Sequence, residues 1–424
     1  MWKDFVYAAR SLRSSPAFAA AAVVTLALGI GASTAIFSVA DAVLLRPLPY
    51  KDPGRLVYAC SDMKTRNVYD FYWSAPDFMD LRDHASSALE DVAGLNTGRA
   101  NWARDDGTPE EIVYAQVTPN ALRVLGARVV LGRDFMDSDG QAQPTVADGA
   151  PPPPDQRLPT YAIASQEFFQ RRFGGNPAVL GKPIIKDGPI LVGVLERGVE
   201  LLFRPDKNVE RRPDVWVAMR LSYGSPRISL FGRLIGRLRP GVTLERAQAQ
   251  ADAVAEQCRA ADPINRTAGF QIRIEPMQRY LVAQVRPAIL ALMGAVIFLL
   301  LIACSNVANL FLVRASLRGR DLAVRTAMGA SWWRLARQML AEALLVSAFG
   351  SALGFGLAWV GVRELLAIAP ASLPRLDATR IDPTVLLFSM GAGLAAAVLF
   401  GLAPALRAAR PDVAQVLRAR SLTA

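Results

Sequence analysis

Runs without a single charge alternate along this chain with stretches of ordinary polar composition. The longest, Pro287 to Val313, holds 27 uncharged residues. At about 1.5 Å per residue that is roughly 40 Å of helix, enough to cross a hydrocarbon core of about 30 Å with some tilt. From Ala17 no charge occurs until Asp41, Ala343 to Val362 is a further uncharged run, and Pro383 to Leu406 is another. The pattern predicts four membrane spans, near residues 17–46, 287–313, 339–363 and 383–406.

Residues 1–16 follow a different rule. Trp2, Phe5, Val6, Ala9 and Leu12 recur at helical spacing, with Lys3, Arg10 and Arg13 off that stripe. The spacing predicts an amphipathic helix lying in the interface, its apolar face among the headgroups. Ser15 and Pro16 then suit the cap and first turn of the first span. That span is longer than the apolar core of about 7–15 residues in a cleaved signal peptide, so it is expected to remain as an anchor. Asp41 falls about 36 Å along the helix from Ala17 and is expected at the outer surface, where a charge costs little.

Residues 47–285 have soluble composition and turn signals, which predict one outer domain of mixed α and β structure. An apolar run at 55–60 opens it, followed by the helical-looking SAPDFMDLRDHASSALEDV and the β-rich EEIVYAQVT. PILVGVL and DVWVAM follow, and then a strand, a turn at Pro240 and Gly241, and a helix capped by Thr243. The stretch 141–159 carries four consecutive prolines, Pro151 to Pro154, and is expected to be an extended, mobile insertion.

Between the second and third apolar runs, residues 314–337 carry six arginines and one acid. Such loops stay in the cytoplasm because moving their charge across during insertion is disfavoured. Arg318, Asp321 and Arg325 share one helical face, Gly329 suits the position after a helix end, and Ser331 suits the next cap. The block therefore predicts an elbow helix between two spans. Arg407, Arg410, Arg418 and Arg420 hold the C-terminus on the same side, so both termini are expected in the cytoplasm. Gly350, Gly354 and Ala358 form a small-residue stripe in the third span, and Gly29 and Gly31 offer close approach in the first.

The ordered runs IACSNVANLFLVRAS, RDLAVRTAMGAS and RQMLAEALLVSAFGSALGFGLA resemble the FtsX/MacB-type ABC transporter permease module. RSLRSSPAF and LALGIGASTAIFSVADAVLLRPLPY are similar to the N-terminus of the duplicated orphan permease branch of that family, and the 47–285 segments resemble the MacB-like periplasmic core domain. The resemblance implies an α-helical integral membrane protein of the bacterial inner membrane, with four transmembrane helices and a large extracytoplasmic α+β domain between the first and second. It implies a cytoplasmic ABC ATPase subunit docking on the elbow, so that Arg318, Asp321, Arg325, Gly329 and Ser331 are coupling candidates. ATP-driven closure at that face would then move the outer domain. A homodimer and a periplasmic adaptor are further partners that it suggests. The duplicated branch carries two modules and this chain one, so it is either a half-length relative or part of a longer protein.

Composition adds few constraints and several exclusions. The net charge of +11 suits a nucleic-acid partner, but the three segments flanking the spans account for +10 of it, where membrane lipid and orientation explain it. Cys60, Cys258 and Cys304 make no metal spacing, and whether Cys60 and Cys258 pair is left open. GGNPAVLGKP fails as a phosphate loop, having Asn176 where glycine is needed and Pro183 after Lys182. Asp77 and Asp80 are expected on the solvated face of a helix. With one histidine, His84, and no catalytic motif, neither an enzyme nor a cofactor site is expected, and any ATP belongs to the partner subunit. Two functions stay open: a permease or mechanotransmission subunit of an export or envelope-remodelling system, and an FtsX-like regulator that controls an extracytoplasmic partner without transport. The glycines likewise suit either a second copy or packing within one chain.

Overall fold

The computed structural model describes residues 2–104, 107–144, 153, 156–317, 332–368 and 383–408. The chain divides into two units, Met1–Arg46 with Gln284–Ala424, and Pro47–Ala283. The elbow residues Arg318, Asp321, Arg325, Gly329 and Ser331 lie outside the described residues, as does most of the proline-rich stretch.

The first unit is built of helices: α1 (Trp2–Arg13), α2 (Pro16–Ala40, continued by a π-helical turn Asp41–Leu45), α9 (Arg286–Leu317), α10 (Trp332–Ile368) and α11 (Pro383–Ala408). Three stretches are long and apolar enough to cross a membrane: Pro16–Leu45, Arg286–Leu317 and Arg337–Glu364. The apolar part of α11 found in the described residues, Pro383–Leu399, is shorter. Phe298 and Ile302 of α9 are 69% and 57% exposed, and a helix with such side chains outward has a lipid surface, not a water surface. Leu26, Ile30, Cys304, Val307, Phe311 and Val346 fill the centre of the bundle.

One expectation for this unit is corrected. Asp41 is buried, and its carboxylate takes the Arg46 Nε–H at 3.0 Å, so pairing and not exposure neutralises it. On α1 the buried positions are Ala8, Ser11 and Leu12, whereas Phe5 and Val6 are exposed. Protein contacts therefore take a face rotated away from the most apolar stripe.

The second unit holds one eleven-stranded mixed sheet. Its strands are β1 (Leu56–Met63), β2 (Val68–Phe71), β3 (Trp73–Ser74), β4 (Leu89–Ala103), β5 (Pro109–Val117), β6 (Val129–Gly132), β7 (Tyr161–Ala164), β8 (Ile190–Leu195), β9 (Val215–Ala218), β10 (Leu230–Leu238) and β11 (Phe270–Pro276). The order is β11-β1-β10-β4-β5-β9-β7-β8-β6, with β2 added to β1 and β3 to β10. Among the described residues only β5–β9 and β7–β8 pair in parallel, so the fold is α+β in character. Helices α3 (Ala75–His84) and α6 (Leu244–Ala261) bury Phe78, Leu81, Ala247, Ala251 and Val254 against Val57, Val92 and Leu234. The smaller helices are α4 (Ala121–Leu125), α5 (Gln166–Phe173), α7 (Pro263–Ala268) and α8 (Met277–Val282).

Caps fix the helix starts. Ser74 and Thr243 accept from the backbone N–H three residues on, as a capping hydroxyl should. The helical stretch expected over 74–92 stops at His84, because Leu89 onward pairs with β10 and the ladder outcompetes helix propensity. Cys60 and Cys258 are buried free thiols.

Candidate functional site

The end of the helical unit where α9 and α10 flank residues 318–331 is fastened by a small polar clasp. Arg314, three residues before the end of α9, donates to the Ser11 carbonyl at 2.5 Å. That carbonyl belongs to the last turn of α1, where backbone oxygens have no partner within the helix, so a cation there satisfies both hydrogen bonding and the helix dipole. The Ser11 hydroxyl donates to Glu342 of α10 at 2.6 Å, and Glu342 lies 3.5 Å from Arg314. The Arg314 guanidinium also sits over the Phe18 ring at 4.4 Å. A second tie joins Arg337 of α10 to Asp4 at 2.6 Å. Arg314, counted from sequence in the cytoplasmic 314–337 block, is thus helical and buried.

The four glycines singled out by their spacing lie where helices of this one chain meet. A Cβ on Gly354 would come within 2.9 Å of the Ala27 carbonyl and 3.1 Å of the Gly31 amide, and one on Gly31 within 2.9 Å of the Gly354 carbonyl. A Cβ on Gly350 would meet Leu26 at 2.9 Å, and one on Gly29 would meet Ala303 at 3.1 Å. Backbones of α2 and α10 touch here, so this stripe is engaged within the chain and is not free for a second copy.

The outer domain holds a buried charged hub that no local pattern announced. Asp70, in left-handed backbone at φ 55°, accepts from the Tyr58 hydroxyl at 2.7 Å and the Tyr280 hydroxyl at 2.8 Å. Lys207 pairs with it at 2.6 Å and Arg233 at 3.4 Å. Burial pushes both phenols well above the ordinary tyrosine range, reinforced at Tyr58 by the negative charge of Asp70 and at Tyr280 by Tyr58 and then Asp70, so both remain donors. Tyr280 lies on α8, the last element before the chain leaves the domain.

A second hub corrects the expectation for Asp77 and Asp80. Both are buried, and Arg227 bridges them, bonding Asp77 and lying 2.7 Å from Asp80. Asn265 donates to Asp77 at 3.0 Å and Tyr223 to Asp80 at 2.6 Å. Asp77, Asp80 and Cys258 offer three atoms close enough to hold a cation, but a guanidinium already neutralises both carboxylates, which makes the cluster a structural ion pair. Burial, followed by the two carboxylates, raises the Cys258 thiol, and Cys60 is pushed up to about 12 chiefly by burial.

The ends of the proline-rich stretch are pinned. Gln143 and the Leu158 backbone exchange two hydrogen bonds, at 3.1 and 2.9 Å, and Arg220 donates to the Gln141 and Pro159 carbonyls, both at 2.6 Å. They wall a groove of about 880 Å³ floored by Trp102, Tyr114, Gln116 and Val217.

Two family models match the chain: "MacB-like periplasmic core domain" over residues 19–254 and "FtsX-like permease C-terminal" over 293–413. A "Macrolide export ATP-binding/permease protein MacB" of Burkholderia thailandensis is 26% identical over 327 residues, covering 73% of this chain and 45% of that protein. An "Uncharacterized ABC transporter permease YknZ" of Bacillus subtilis is 32% identical over 119 residues, covering 28% of each. The chain therefore spans less than half the length of these relatives. The crystal structure of the periplasmic region of MacB from Actinobacillus actinomycetemcomitans matches 55% of this chain and 92% of its own, at 11% identity and a TM-score of 0.36.

Proposed function

This chain belongs to the MacB/FtsX family of ABC transporter permeases, and on that premise we propose that it is the permease and mechanotransmission subunit of an export or envelope-remodelling system driven by a separate ATPase. The observation that carries the reading is the insertion of a whole α+β domain, Pro47–Ala283, between two apolar helices whose unit holds no comparable polar fold among the described residues. A chain so built carries a large folded domain between its first two spans and a basic block between its second and third.

In this reading α11 completes a set of four spans, both termini are cytoplasmic and residues 47–283 are outside the inner membrane. The ATPase docks on the 318–331 elbow through Arg318, Asp321 and Arg325, and nucleotide binds to that ATPase and not to this chain. The clasp of Ser11, Arg314 and Glu342 supports such coupling, because it ties α1 to the helices on both sides of the elbow. A second copy of the chain pairs with it on helix faces other than the Gly31/Gly354 contact, and an adaptor meets the outer domain. Affinity capture of the full chain from native membranes tests the docking. An ABC ATPase should co-purify with wild type and be lost with Arg325→Glu, because reversing a charge at a complementary surface turns attraction into repulsion. Equal recovery with both chains would remove the elbow from the coupling.

A further inference from the structure

The clasp has a second effect: it fixes the rotation of α1. With Asp4, Ala8, Ser11 and Leu12 turned inward, the 100° step of an α-helix puts Val6, Ala9, Arg10 and Arg13 on the opposite side. Those four are exposed, and Phe5 and Tyr7, 36% and 41% exposed, stand on its two flanks. The acid Asp4 points away from this face and is held by Arg337. Neither Arg10 nor Arg13 has a carboxylate partner among the described residues. Only Ser14 and Ser15 separate α1 from the first residue of α2, so a two-residue link joins this face to a membrane-spanning helix.

We propose that this outer face of α1 is a docking surface for anionic phospholipid headgroups. Phe5, Val6 and Ala9 supply the apolar part that enters the headgroup and upper acyl region, and Arg10 and Arg13 lie on lipid phosphates beside it. The combination favours a lipid surface, since an acidic protein groove would match the arginines and leave Phe5 and Val6 without a partner. Because Ser11 and Asp4 hold the helix to α9 and α10, an anionic leaflet also steadies the ends of the two helices flanking the elbow.

The full-length chain in nanodiscs of phosphatidylcholine with about 30% phosphatidylglycerol is the material for the test. Lipids retained after gentle detergent extraction are counted by native mass spectrometry. Wild type should retain phosphatidylglycerol above its share of the bilayer, with each arginine favouring it roughly fivefold. Arg10→Gln with Arg13→Gln should lose most of that enrichment, and Arg10→Lys with Arg13→Lys should keep it. No enrichment in wild type, or enrichment undiminished in the glutamine variant, overturns the proposal. A glutamine variant that keeps its phosphatidylglycerol but loses the co-purifying ATPase also overturns it and assigns the face to the ATPase. The lipid count is independent of any ATPase, so failure here and failure of the permease reading are told apart.

Discussion

Tyr280 lies stacked on Tyr58, ring centroids 3.8 Å apart, and both hydroxyls donate to the carboxylate of Asp70. The last helix of the outer domain is thereby fixed to its first strand, β1, through one buried charge. Removing that charge strands Arg233 and Lys207, so Asp70→Ala should destabilise the full chain by about 3–5 kcal/mol, the usual effect of breaking one side of a buried pair. Tyr280→Phe deletes one hydroxyl and should cost about 1–3 kcal/mol. Thermal unfolding of the purified chain followed by near-ultraviolet circular dichroism should rank them in that order. A Tyr280→Phe protein less stable than Asp70→Ala would refute the assignment of Asp70 as the centre.

Acid should weaken a different part of the domain. Burial raises the Glu110 carboxyl, but hydrogen bonds from Arg104 and Arg171 outweigh it and hold the group below its ordinary value of 4.5. A group depressed on folding stabilises fully above its unfolded value and loses that contribution as pH falls through the folded one. Wild type should exceed Glu110→Gln in melting temperature at pH 6, and the gap should close as the pH drops from about 4.5 toward 3. A gap that is constant with pH would mean that the carboxylate charge is not what matters.

The helix contact at Gly354 predicts a position-specific effect. Even Gly354→Ala forces a Cβ onto the Ala27 carbonyl of α2, and overpacking of this kind costs about 1–3 kcal/mol. Gly356 and Gly361, on the same helix, have open space at the Cβ position. Recovery of monodisperse protein from membranes should fall for Gly354→Ala and hold for Gly356→Ala and Gly361→Ala. Equal recovery for all three would argue against a close α2–α10 approach.

Thiol chemistry gives a check on both burial and topology. Cys60, Cys258 and Cys304 are buried, and the Cys60 thiol sits near 12, so maleimide at pH 7.5 should leave the folded chain unlabelled and modify it after denaturation. On that silent background an impermeant reagent should label Ser165→Cys from outside and spare Ser316→Cys. The reverse pattern would invert the proposed orientation.

Three of the four expected spans were legible in the sequence because long uncharged runs are properties of contiguous residues. The outer strands were partly legible for the same reason, through PILVGVL and DVWVAM. The buried hubs were not. Asp77 and Asp80, three apart on a helix, have the spacing of a solvated face, and what buries them is Arg227 and Asn265, some 150 residues or more along the chain. The inward face of α1 was hidden by its own hydrophobic stripe, since Phe5 and Val6 mark the lipid side and Ser11 marks the protein side. A single arginine and a single glutamate at the ends of apolar runs, Arg314 and Glu342, were the available signal for the clasp, and each alone fits an interfacial charge.

The permease account is tested most directly by ATP hydrolysis in proteoliposomes containing the full-length chain together with the ABC ATPase that co-purifies with it. The account predicts that the chain accelerates hydrolysis over that of the ATPase alone, and that Arg325→Glu abolishes the acceleration while inserting and folding normally. Hydrolysis at the same rate with wild type, with Arg325→Glu and with no chain at all would contradict it.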